Sequence, residues 1–178
     1  TKDRPAPRKS PPRWPVRLAR HLADLAAADG VTLQGGVFWP NALDGLEPAA
    51  AAVYEQLAAD GLAHHMVGHV RSSQAFALNL FAPLDDDARR ALVAQLGIEA
   101  GEVSAPMFEW SDPHDELGER THASPHATQV DVRLDCVGAD GARVACLIEV
   151  KLSEPDFNPC SAWASPLNDR LDVCVTGG

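Results

Sequence analysis

Three side chains late in the sequence have the types and spacing of a hydrolytic centre: Asp131, Glu149 and Lys151. Apolar Val130, Val132, Leu134 and Cys136 alternate with polar Gln129, Asp131, Arg133 and Asp135, the period of a half-buried strand. Val144, Cys146, Ile148, Val150 and Leu152 repeat that period over 143–152, with Glu149 and Lys151 at the alternate positions. Between the two runs, Ala139-Asp140-Gly141 signals a hairpin, with Gly141 at the left-handed position of a three-residue loop. That loop length pairs Asp131 with Glu149, and residues opposed in this way share a face with Cβ atoms about 5 Å apart. Lys151, two residues on, projects from the same face. A two-residue loop would pair Asp131 with Val150 and break the alternation, so the apolar pattern selects the register.

Carboxylates held that close repel one another unless a proton or a cation intervenes. A hard divalent ion such as Mg²⁺ (or Mn²⁺) answers this, bound by one or two carboxylates and waters. It acidifies a bound water and offsets charge developing on a phosphate, and a neighbouring ammonium can orient that water. The set therefore suits phosphodiester hydrolysis. Glu-x-Lys alone is common, but the chain has only three lysines against twelve arginines, and Lys151 is the only lysine after Lys9. The same residues also read as an ordinary cross-strand ion pair on a half-exposed sheet.

Asp131 followed, after a hairpin, by Glu149-Val150-Lys151 resembles the PD-(D/E)XK nuclease superfamily. Two further stretches resemble a bacterial subgroup of restriction endonucleases: Ser72-Ser73-Gln74-Ala75-Phe76 with Asn79-Leu80-Phe81, and Ser153-Glu154-Pro155-Asp156-Phe157 through Cys160. The resemblance covers about residues 69–160. It implies a restriction-endonuclease-like mixed central sheet flanked by helices and Mg²⁺-dependent cleavage of DNA. Asp131 and Glu149 would be the metal ligands and Lys151 the third catalytic residue. Val130 stands where the name-giving proline would be. For the upstream acidic ligand of many members, Glu109 is the candidate and Glu55 a poorer one. Gln74, Ser73 and Asn79 are further site candidates, read either as polar groups reaching the site or as a cap and a buried amide. The alternative function is an inactive nuclease-like domain that binds nucleic acid or a protein.

The elements that must position these residues are legible in outline. A basic, Pro-rich lead-in spans 1–13, and a single domain is expected over 14–178, helical over 14–97 and sheet-bearing from 103. Pro15 with Leu18, Leu22 and Leu25 predicts a helix ended by Gly30. Pro48 to Gly61 predicts a second, and the serines at 72–73 to Phe81 a third before Pro83. A fourth runs from the acidic cap at 85–87 to Gly97. Residues 103–110 read as one strand carrying Glu109, and 171–175 as a last strand.

Other reactive residues fall short of a site. His65 and His69 have the spacing of a zinc pair only on a helix, against which Gly68 argues, and no third ligand accompanies them. His114, His122 and His126 share a polar loop. Cys136 and Cys146 fall on the apolar strand face as core thiols, and Cys160 and Cys174 lack a paired Cys-x-x-Cys.

Composition bounds the rest. With 178 residues, 46% hydrophobic and 22% charged, the chain has the make-up of one globular domain. The longest charge-free run, 30–43, contains three glycines and a proline, so no membrane helix is encoded. The net charge of -10 is uneven: the first 20 residues hold seven basic side chains against Asp3, and the rest hold eight basic and 24 acidic. An acidic body does not attract nucleic acid at long range, so DNA binding calls for a metal or a local basic patch. The lead-in reads as a solvated segment or as that patch. Four cysteines make no disulfide scaffold, and a reducing cytoplasm is expected. The chain opens on Thr1, which reads as a fragment. A homodimer is the simplest way to supply two sites for double-strand cutting.

Overall fold

A computed structural model describes residues 13–114 and 129–152. The chain has a mixed α/β architecture with its helices in the N-terminal part. Among the described residues four α-helices, α1 (Arg13–Ala28), α2 (Pro48–Ala59), α3 (Ser73–Phe81) and α4 (Asp86–Gln95), precede four strands, β1 (Ala100–Val103), β2 (Met107–Ser111), β3 (Gln129–Gly138) and β4 (Arg143–Ile148). The helix ends follow the residue chemistry of the sequence. Ser72 Oγ accepts the Ala75 N–H, and Asp85 Oδ1 accepts the Ala88 N–H, each occupying a donor that a helix start leaves without a partner.

β3 is the centre of an antiparallel sheet. Its Val132 and Arg133 pair with Phe108 and Met107 of β2 and also with Ile148 and Leu147 of β4, so β2 and β4 flank opposite edges. β1 pairs with Cys136 and Val137, which β4 also pairs, so β1 and β2 lie end to end along one edge. The single strand expected over 103–110 is therefore two. Pro106 has no N–H to donate to a ladder. At the break, Ser104 N–H donates to the Asp135 carbonyl (2.8 Å), and Ser104 Oγ accepts the Asp135 N–H (3.0 Å).

The helices cover the face of β3 that carries its apolar residues. Val93 of α4 packs with Val103, Leu134, Cys136 and Cys146. Ala77 and Phe81 of α3 pack with Val132 and Val150. Leu78, on another side of α3, packs with Ala50 and Leu57 of α2. Cys136 and Cys146 are buried thiols, as the alternation predicts, and burial pushes both up from the ordinary thiol range. Among the described residues no helix is long and apolar enough to cross a membrane. The expected strand at 171–175, the lead-in before Arg13, His122, His126, Cys160 and Cys174 lie outside the described residues.

Candidate active site

The β3–β4 hairpin has the register the alternation selects: Val132 faces Ile148, Leu134 faces Cys146 and Cys136 faces Val144. Gly141 adopts φ 79°, the left-handed conformation a three-residue loop requires. Continued by one step, this register sets Asp131 opposite Glu149. The ladder itself stops at Ile148, short of the expected 152. Just beyond it, the Asp131 carboxylate accepts the Val150 N–H at 2.5 Å, so a side chain serves backbone where β4 has ended. The alternation nevertheless persists: Val150 is buried against Val132, while Glu149 and Lys151 are exposed. Lys151 Nζ lies 2.6 Å from Glu149 Oε1, which shows both side chains on one side of the chain.

Glu109 enters from the other edge of β3. β2 pairs with β3 through Phe108↔Val132 and Trp110↔Val130, which brackets Glu109 opposite Asp131. Glu109, Asp131 and Glu149 thus form one row across three neighbouring segments. Glu109 is buried and, among the described residues, is the only non-glycine with positive φ, at 50°. That conformation costs on the order of 1 kcal/mol or more for a residue with a side chain. It also reverses the strand's alternation. Phe108 packs into the core with Val132, whereas the Trp110 ring lies 4.4 Å from the guanidinium carbon of Arg133, on the opposite face. Two residues of an unbroken strand at that spacing would share a face.

The carboxylates sense one another. Burial raises Glu109 above the ordinary carboxylate range and the charges of Asp131 and Glu149 add to it, against a hydrogen bond from Gln74 and the nearby His64. Burial also raises Asp131, with Glu149 adding, against the Val150 N–H, Lys151 and His64. Desolvation and like charge both disfavour ionisation, and both are relieved by a cation. The donors are hard oxygens, the ligand type of Mg²⁺. Among the described residues, no three His, Cys, Asp or Glu side chains form a group that could hold a metal ion.

The remaining candidates separate cleanly. Gln74 belongs with the row: it is buried in α3, and its Nε2 donates to Glu109 Oε1 at 2.6 Å. Asn79 does not. Its Oδ1 accepts the Glu47 N–H and its Nδ2 donates to the Gly45 carbonyl, both at 2.8 Å, so it fastens the loop before α2. Ser73 is the first residue of α3, and the capping hydroxyl is that of Ser72. Glu55 lies within α2. Residues 65–68 form a turn and His69 bridges to Phe38, so His65 and His69 do not acquire helical spacing. His69 packs edge-on against Phe38, and its Nδ1 accepts the Arg71 N–H. Burial, and then the Arg71 charge, lower its pKa. His114 donates its N–H to Asp112, forming a local turn.

Nothing in the sequence singles out His64, whose Nε2 stands 3.7 Å from Glu109 Oε2. Only the loop between α2 and α3 brings it there. Its neighbour in sequence, His65, carried the more familiar spacing.

A family model described as restriction endonuclease associating with ARP matches residues 37–173. That stretch contains Gln74, Glu109, Asp131, Glu149 and Lys151 and begins after α1. No curated protein and no solved structure matches the chain.

Proposed function

The chain belongs to the family of restriction endonucleases associating with ARP, and from that membership we propose a metal-dependent endonuclease of the PD-(D/E)XK type that hydrolyses DNA phosphodiester bonds. The observation that carries this reading is the hairpin register, which brings Asp131 to the segment bearing Glu149 and Lys151. Asp131 and Glu149 would hold Mg²⁺ or Mn²⁺, with Glu109 completing the acidic set. Bound there, the ion would acidify a water and offset charge on the phosphate. Lys151 is kept beside Glu149 by their ion pair, where its ammonium can orient a water or donate to a phosphate oxygen. Val150 N–H fixes one Asp131 oxygen and leaves the other for a ligand. DNA is the proposed substrate, a two-fold pair the proposed assembly for double-strand cutting, and the cytoplasm the proposed compartment.

Supercoiled plasmid incubated with the protein and Mg²⁺ or Mn²⁺ tests the reading directly. Nicking or linearisation is expected, and EDTA should stop it. Asp131→Ala, Glu149→Ala and Lys151→Ala should each lower the rate by about 100-fold or more, with circular dichroism unchanged. Intact plasmid with every divalent ion would refute the reading. It would favour a nuclease-like domain that binds without cutting. The family description supports that second reading to the extent that it pairs the endonuclease with ARP, a partner for binding assays.

A further inference from the structure

Gln74 is 2% exposed and Glu109 6%, two of the three buried polar residues among those described. The Gln74 carboxamide meets three groups. Its Nε2 donates to the Leu62 carbonyl at 3.3 Å and to Glu109 Oε1 at 2.6 Å, and its Oε1 accepts the His64 N–H at 2.9 Å. Two of these partners are backbone groups with no choice of role: a carbonyl only accepts, and an N–H only donates. Rotating the amide by half a turn would set NH₂ against N–H and oxygen against two acceptors. The loop at 62–64 therefore fixes which way Gln74 points, and Gln74 aims a neutral donor at Glu109. A buried amide committed on both sides is costly to disturb, because each lost bond leaves a desolvated group behind.

At the other end of this contact stands a carboxylate on the one left-handed non-glycine residue among those described. The reversed strand sends the Glu109 side chain to α3, and Gln74 receives it there. With Oε1 engaged by Gln74, Oε2 lies toward His64, whose side chain is 54% exposed. One oxygen is thus held by Gln74 and the other faces the His64 imidazole, while the Glu109 side chain itself is only 5% exposed.

We propose that Gln74 is a positioning residue: held by the backbone of 62–64, it fixes the Glu109 carboxylate in the acidic row so that Oε2 serves the cation site. The role rests on the metal-dependent reading of that row. It couples α3 and the loop before it to a site built otherwise on the sheet.

A double-mutant cycle on the full chain tests it, using Gln74→Met, Glu109→Gln and the pair. The readouts are Mn²⁺ affinity by calorimetry and plasmid cleavage, with thermal melts to score folding. Gln74→Met should weaken Mn²⁺ binding by about 10- to 100-fold, the usual effect of removing a group that orients a ligand. In the Glu109→Gln background the same change should cost no further affinity. Should Gln74→Met fail to fold, Gln74→Asn keeps the amide, shortens its reach by one methylene, and should give a smaller loss of the same kind. Wild-type Mn²⁺ affinity in a folded Gln74 variant, or losses that multiply in the pair, overturns the positioning role alone. A wild-type chain that binds no Mn²⁺ and leaves plasmid intact overturns the metal reading and the role together.

Discussion

Asp131 is destabilised by its own charge. It is raised above its ordinary value of 3.8, first by burial and then by Glu149, although the Val150 N–H, Lys151 and His64 favour ionisation. A raised carboxyl binds its proton more tightly in the folded chain than in the unfolded one. Its contribution to stability is therefore full below the ordinary value and is lost as pH rises through the folded one. Glu109 acts with the same sign. Asp131→Asn removes the charge and still offers Val150 an oxygen acceptor. It should be more stable than wild type at pH 7, with the difference closing as pH falls toward 4. Denaturation of both proteins across that range checks it, and a variant less stable than wild type at neutral pH would show that the charge is not the cost assigned to it. Loss of cleavage with gain of stability is the expected mark of a residue kept for chemistry.

The hairpin is the element that converts sequence into site, because its loop sets the pairing of every residue after it. Gly141 sits at φ 79° with nothing within 4 Å of an added Cβ, so substitution there meets a backbone cost and no clash. Gly141→Ala should destabilise by about 1 kcal/mol and Gly141→Asn by less, as chemical denaturation would show. Here the sequence was legible. Period-two alternation and one glycine yielded the register of β3 against β4, which one further step would carry to Asp131 and Glu149, and helix caps such as Ser72 and Asp85 stood where their side chains predict. What resisted was non-local. Nothing in the run Met107-Phe108-Glu109-Trp110 announces a left-handed glutamate, because glutamate is not among the residues that adopt that conformation readily. Ser104 and Pro106 could have warned that 103–110 is two strands, yet the interruption needed Asp135 of β3 to accept and donate across it. Gln74 and Asn79 looked alike as amides on one short helix. They differ in contacts, because Gln74 also reaches Glu109 of β2 whereas Asn79 meets the loop before α2, a distinction made only by packing.

At the scale of the whole molecule, charge constrains how DNA, the proposed substrate, would be approached. The chain carries -10 overall, and beyond its first 20 residues acidic side chains outnumber basic ones three to one. Such a body repels a polyanion over roughly a Debye length, about 8 Å at physiological salt, and the row of Glu109, Asp131 and Glu149 would concentrate that repulsion where the proposed reaction seats a phosphate. A divalent ion in the row would then act on affinity before it acts on chemistry, by reversing the local sign. Ca²⁺, another oxygen-seeking cation, should raise the affinity of the wild type for a labelled duplex by about tenfold, an energy near 1.4 kcal/mol. The Asp131→Asn, Glu149→Gln double variant should bind more tightly than wild type in EDTA and gain nothing from Ca²⁺, because the charge that opposed DNA and the ligands that held the ion are the same atoms. Lys151→Ala should shift the other way and bind more weakly in EDTA. Fluorescence anisotropy at fixed salt reads all three, and equal affinity of wild type and double variant in EDTA would show that DNA does not approach the acidic row.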